Sequence, residues 1–390
     1  MKANQKSQFI GINLFLMILF FLGTGFKIGD QSTQNPEALS PDPKAKSIKI
    51  GLLLDTSNSM DGLIDQAKSQ LWNIVNELSA AKCDGETPEL EIALYEYGND
   101  GLTAKEGYIR LVTPLTSDLD QLSKDLFSLR TNGGSEFCGY AIKTALNQLD
   151  WETSDEDLKL IFIAGNEPFT QGPVNYRETC LKAYRQGITI NTIFCGNYNE
   201  GIRTSWKDGA DLTDGHYMSI DQNCKTVYVS TPYDDQIDQL NSSLNDTYIY
   251  YGKKGASKKA NQLVQDENAK SISYENKVSR TISKSSNMYK NTSWDLVDAS
   301  EEEDFDISEI ESEYLPNEIQ SLDNREKLVY IETQKQKRIE IQKKVAELNV
   351  KRTEYIQEQN TASTNNNNML DNAMMTAIKS QAKAKSFQLD

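Results

Sequence analysis

The stretch IGLLLDTSNSMDGLIDQAKSQL (residues 50–71) changes its periodicity midway. Residues 50–54 are a continuous apolar run, the pattern of a strand covered on both faces by helices. Further on, apolar residues fall at Leu63, Ile64, Ala67, Leu71, Ile74, Val75 and Leu78, which lie on one face of a helix. Between the two patterns stand Asp55, Ser57 and Ser59, oxygen-bearing side chains at alternate positions. In an open parallel sheet, ligands bind beyond the carboxyl ends of the strands, and an extended turn there would aim all three at one spot. One carboxylate and two hydroxyls are hard oxygen donors, suited to Mg²⁺ or Mn²⁺ with waters completing the shell. The competing reading is local: Ser57 or Asn58 caps the helix, and Asp55 accepts amide hydrogens in the turn. A strand before the motif and an amphipathic helix after it favour the ligand reading.

The same alternation runs outward from this stretch. Strand-like runs cover 47–55, 90–98, 108–115, 158–165, 188–196 and 216–221, and helical spacing covers 140–149, 176–183 and 232–248. The reading is a doubly wound, Rossmann-like α/β domain with a mainly parallel sheet over residues 47–252.

On these residues the chain resembles a von Willebrand factor A domain, roughly over residues 47–250, with the adhesion-site signature DxSxS at Asp55, Ser57 and Ser59. The resemblance implies a cation, usually Mg²⁺, at the top edge of the sheet. It also implies a protein partner that offers an acidic side chain as the last ligand. The family's second loop carries a threonine after paired glycines; TNGGSEFCGYAI (131–142) places Ser135 there, with Glu136 beside it as a further ligand or a solvent-facing side chain. The third loop, IFIAGNEPFTQG (161–172), puts Gly165 where the family has an aspartate, leaving Asn166 or Glu167 to stand in. This variant, with YEYGNDG and TIFCGN, is similar to exported bacterial members of the family, for which no enzymatic activity is implied.

At the N-terminus, Lys2 and Lys6 precede the apolar run FIGINLFLMILFFL (9–22) and a small-residue site, a signal peptide or a retained anchor within residues 1–25. Either way the remainder is expected outside the cytoplasm, in the periplasm or tethered to the membrane, after a linker at 26–46. The net charge of −16 excludes a nucleic-acid binder of ordinary kind. Within the linker at 253–314 the first part is basic and polar, so disorder is expected, and SWDLVDASEEEDFDISEIESEY (293–314) is a solvated acidic stretch or a cation- or partner-binding tail. Residues 315–360 read as a long charged helix, either lying in solvent or self-associating as a coiled coil, with Gln334 and Arg338 interrupting its seam. TASTNNNN (361–368) is a break before a short helix, Met369–Ala384, spaced to dock on a partner helix or on the domain.

Five cysteines in an oxidising compartment suggest a bridge, and Cys195–Cys224, both near strand ends, is the expected pair, with Cys138 left over. His216 has no nucleophile motif beside it, and G-x-S-x-G and Walker patterns are absent. The reading is therefore a non-enzyme: metal-dependent protein binding through Asp55, Ser57, Ser59 and Ser135. The alternatives are a metal-free scaffold acting through its tail, and a metal-assisted hydrolase whose base would be Glu136 or Glu167.

Overall fold

In chain order the elements are β1 (Ser47–Asp55), α1 (Asp61–Ser79), β2 (Lys82–Cys83), β3 (Glu89–Tyr97), β4 (Ile109–Thr116), α2 (Leu119–Ser128), α3 (Cys138–Gln148), β5 (Leu158–Gly165), α4 (Tyr176–Arg185), β6 (Thr189–Cys195), α5 (Tyr198–Arg203), α6 (Trp206–Asp211) and β7 (Tyr217–Ile220). They are followed by α7 (Asp234–Asn245), α8 (Gly255–Ile272), α9 (Tyr274–Lys284), α10 (Leu296–Ala299), α11 (Asn317–Gln320), α12 (Asn324–Asn360), α13 (Leu370–Ala384) and β8 (Phe387–Gln388). This computed structural model describes residues 46–83, 85–151, 154, 156–360 and 369–389. The expected signal or anchor, nearly all of the linker, and the asparagine-rich break at 361–368 lie outside the described residues.

β1 lies inside the sheet, and all 9 of its residues are buried. It pairs in parallel with β3 on one side and β5 on the other, in a six-stranded sheet of order β4-β3-β1-β5-β6-β7. β6 and β7 continue in parallel, and only the edge strand β4 runs antiparallel, with irregular register. Side chains alternate across a strand. Ile48, Ile50, Leu52 and Leu54 therefore join the apolar cluster beneath α1, α2 and α13, whereas Leu53 joins the opposite cluster with α3 and α4. The doubly wound sheet read from the sequence is the observed one.

The disorder expected after Gly252 does not occur. α8 and α9 pack on α1 and α2, and two of the segment's cations, Arg280 and Lys284, are fully buried beside acidic partners. The fully buried Arg280 places Nη1 2.8 Å from Asp120 Oδ1 and Nε 2.6 Å from Asp266 Oδ1, with its guanidinium 4.6 Å from the Trp72 ring centre. Lys284, also fully buried, lies 3.1 Å from Asp266 Oδ2 and donates to Asn241 Oδ1 at 2.9 Å. Composition rates such residues as surface; here each buried charge meets an opposite one, which is the condition for burial.

α12 is likewise no free rod, since it packs on α7, α9 and α10. Arg338 is buried, with Nη1 2.7 Å from Asp295 Oδ2, Nη2 donating to Thr247 O at 2.8 Å, and its guanidinium 3.9 Å from the Tyr248 ring centre. Gln334 and Arg338, read as breaks in a seam, thus sit in the contact with the domain. α13 docks on α1 through Leu370, Met374 and Ile378, and β8 pairs antiparallel with β2. Among the described residues, no helix is long and apolar enough to cross a membrane.

The expected Cys195–Cys224 bridge is absent: both are thiols. Cys195 ends β6 opposite Ile220 and is buried in the cluster beneath α1. Cys224 lies in a turn after β7, whose carbonyls at Asp221 and Cys224 accept from Gln66 Nε2. That turn holds the chain over α1. Cys138 is likewise an unbridged, buried thiol.

Burial raises the Asp266 carboxyl, but the Lys284 and Arg280 charges outweigh burial and hold it well below the usual range. Burial in turn pulls Lys284 down to about 8, against the attraction of Asp266, so both are charged at neutral pH. A depressed carboxyl stabilises the fold above its unfolded pKa, about 3.9, and that contribution is lost as pH falls toward the folded value. Asp266→Asn should cost about 3–5 kcal/mol at pH 7, since it leaves buried cations short of a partner. It should also flatten the loss of stability below about pH 4. Urea unfolding of both proteins at neutral and acidic pH measures the two effects.

Candidate metal centre

Asp55 is the last residue of the central strand, opposite Tyr97 of β3, and its side chain is fully buried at the carboxyl edge of the sheet. Asp55 Oδ1 accepts the Ser57 backbone N–H at 2.8 Å, so the turn uses one carboxylate oxygen, as the local reading expected. Asp55 Oδ2 is different: it is buried and receives no hydrogen bond. Ser57 has extended backbone and its side chain caps nothing. Its hydroxyl instead faces that of Ser59, with 3.2 Å between the two Oγ atoms. Asn166 Nδ2, at the end of β5, donates to Ser59 Oγ at 3.2 Å. The first and second loops are tied by main-chain bonds, Asn58 N to Gly133 O at 2.7 Å and Asn132 N to Thr56 O at 2.9 Å.

Glu136 is the residue whose position the sequence left most open, and it does not face solvent. It is 5% exposed, and its Oε2 is a second buried carboxylate oxygen without a donor. Burial, then the Glu136 charge, push the Asp55 carboxyl well above its ordinary value, and burial also raises Glu136. Two acceptor-only groups in contact cannot both ionise unless a cation or a shared proton lies between them. Orphaned carboxylate oxygens beside a pair of hydroxyls fit a hard divalent cation. The described residues contain no cluster of three or more acidic, histidine or cysteine side chains able to hold a metal, so hydroxyl oxygens must complete this donor set.

Two glycines form the walls. Gly98 has φ +75°, and a Cβ there would lie 2.7 Å from both Asp55 Oδ1 and Glu136 Cγ. At Gly165 a Cβ would meet Tyr97 Oη at 2.5 Å and Asp55 Oδ2 at 3.0 Å. The missing third-loop aspartate thus has a physical reason: the Tyr97 hydroxyl, which donates to Ala164 O at 3.0 Å, takes its space. The sequence offers Tyr97 and Gly98 only within YEYGNDG, as part of a resemblance; that they wall the site is visible in the fold alone.

The remaining candidates divide. Ser135 is half-buried in the second loop, between Gly134 and Glu136, and Asn166 is half-buried next to Ser59. Glu167 is exposed; its carbonyl accepts from Trp206 Nε1 at 2.8 Å, and its backbone N–H reaches the Glu136 carboxyl. His216 precedes β7 and so lies at the amino edge of the sheet, opposite Asp55; its N–H donates to Asn191 Oδ1 at 2.9 Å.

Because the Gly165 wall is already tight, Gly165→Ala should destabilise the protein by about 1–3 kcal/mol through overpacking. Tyr97→Phe, which removes the nearest atom, should cost less in the Gly165→Ala background than alone. Urea unfolding of the four proteins in a double-mutant cycle reads this coupling; additive costs would mean that Tyr97 does not form the wall.

Residues 49–202 match the family model for the von Willebrand factor type A domain. No curated protein matches the chain. Among solved structures, the chain is similar to the conserved hypothetical protein BatB from Bacteroides thetaiotaomicron, at 15% identity and TM-score 0.34, over 45% of this chain and 91% of that one. It is also similar to an aerotolerance-related membrane protein from Bacteroides fragilis NCTC 9343, at 16% identity and TM-score 0.32, over 45% and 92% of the two chains. A third similar structure is the SpRpn10 VWA domain, at 17% identity and TM-score 0.34, over 45% and 88%. The matched residues hold the central strand, the DxSxS turn and the first five strands of the sheet, and this part of the chain is a von Willebrand factor type A domain.

Proposed function

We propose that this chain binds a protein partner in a divalent-cation-dependent way, outside the cytoplasm, and performs no catalysis. The observation that carries the reading is the orphaned, fully buried Asp55 Oδ2 beside the Ser57–Ser59 hydroxyl pair. Asp55, Ser57 and Ser59 would hold Mg²⁺ or Mn²⁺, with Ser135, Asn166 and Glu136 around them and Glu167 on the rim. A cation there supplies an open coordination position for an oxygen of the partner. The charged, apolar-run N-terminus supports export, with the rest of the chain in the periplasm or held at the membrane.

A hydrolase reading is weaker on chemistry. A general base must reach a water at the cation, yet Glu136 is buried against Asp55, while the Glu167 side chain is exposed. A metal-free scaffold is favoured by one observation, the apolar side chains Leu328, Val329, Ile339 and Val350 exposed along α12, which would serve self-association.

Calorimetric titration of the protein with Mg²⁺ and Mn²⁺, beside Asp55→Ala, separates the two readings. Saturable binding by the parent that vanishes in the variant is the expected result. Equal heats from both, or none from either, would return Asp55 to its turn role and leave the scaffold.

A further inference from the structure

We propose that Glu136 is a resident ligand of this centre: it fills, from within the chain, the acidic position that a partner would otherwise supply, so the partner brings a neutral oxygen donor and not a carboxylate. This deepens the function proposed above and rests on it. The placement of Glu136 is built, not incidental. Its backbone N–H donates to Gln171 Oε1 at 2.6 Å, and helix α3 starts two residues later at Cys138, which fixes the loop on both sides. The side chain then turns inward past two glycines. A Cβ at Gly98 would touch Glu136 Cγ and Asp55 Oδ1 alike, and one at Gly134 would lie 2.7 Å from Glu136 Oε1 and 3.1 Å from Ser57 Cβ. The carboxyl therefore spans from Asp55 toward Ser57, across the spot at which the DxSxS donors converge.

Among the described ion pairs of lysine and arginine, none involves Asp55 or Glu136. Two carboxyls buried side by side with an orphaned oxygen on each can both ionise only when a charge of opposite sign lies between them; otherwise they must share a proton. One divalent cation meets that condition with no charge left over. A third carboxylate from a partner would make the centre anionic, in a place already rimmed by acids. Glu167 is exposed beside it, and the Asp100 carboxylate packs over Gly133 in the adjoining loop. Like charges beside this pair disfavour an acidic ligand and favour a neutral donor set in a neutral or basic surface.

The test uses Mn²⁺ as the probe metal and acetate as a stand-in for a partner's carboxylate, on the full chain, with Mn²⁺ affinity read by electron paramagnetic resonance. The parent should bind Mn²⁺ with an affinity that acetate does not improve. Glu136→Gln should bind roughly 10–100-fold more weakly, the scale on which loss of a supporting carboxylate acts in metal sites, and acetate should recover part of that loss. Glu136→Asp keeps the charge on a shorter arm and should show a smaller effect of the same sense, which also serves if the amide variant folds poorly. Glu354→Gln, an exposed charge on α12 away from the site, should leave the affinity within about twofold. Parent and Glu136→Gln binding equally well, with acetate strengthening both, would overturn the role of Glu136 and leave the proposed function standing. No Mn²⁺ binding by the parent would overturn both.

Discussion

Two carboxyl groups, Asp55 and Glu136, are buried against each other at the end of the central strand, each with an oxygen that no donor reaches. Much of the surrounding architecture is a consequence of holding them there. β1 must be buried along its whole length to carry Asp55 into the interior, which requires parallel neighbours on both sides and helices on both faces. Gly98 and Gly165 remove side chains that would otherwise fill the gap, and Tyr97 closes it from β3. A fold that spends this much order on an unpaired acidic contact is shaped to take up positive charge.

The helical half of the chain serves the same sheet from behind. α8 and α9 lie on α1 and α2, α12 lies on α7 and α10, and α13 lies on α1. Their anchors are charged side chains, Arg280 and Lys284 at one point and Arg338 at another, each fully or nearly fully buried with acidic partners. Buried ion pairs do little for net stability but are costly to break, so they fix where each helix sits. α1 is the element shared by both halves: its first turn follows the DxSxS loop, and its outer face carries α9 and α13.

The sheet was legible in the sequence because its six strands are short apolar runs separated by helical spacing, and the site was legible because oxygen donors stood at alternate positions after the first of them. What composition concealed was packing through polar groups. The segment around Arg280 reads as solvated because a residue scale cannot see that Asp120, 160 positions earlier in the chain, waits for it. Arg338 reads as a defect in a heptad, yet it meets Asp295 and stacks on Tyr248. Glu136 is the same case at the site: a glutamate in a glycine-rich loop looks exposed until the fold turns it toward Asp55. Cys195 and Cys224 show the converse error, since proximity to strand ends says nothing of the turn that carries Cys224 over α1.

A cation held at Asp55 and completed by Glu136 is what this paired burial implies. Crystals grown with Mn²⁺, with diffraction recorded near the manganese absorption edge, test it directly. An anomalous peak about 2–2.5 Å from both Asp55 Oδ2 and Glu136 Oε2 is the predicted result, the spacing expected of a hard cation on carboxylate oxygens. Crystals saturated with Mn²⁺ that show no peak there, and the two carboxyls still in direct contact, would contradict it.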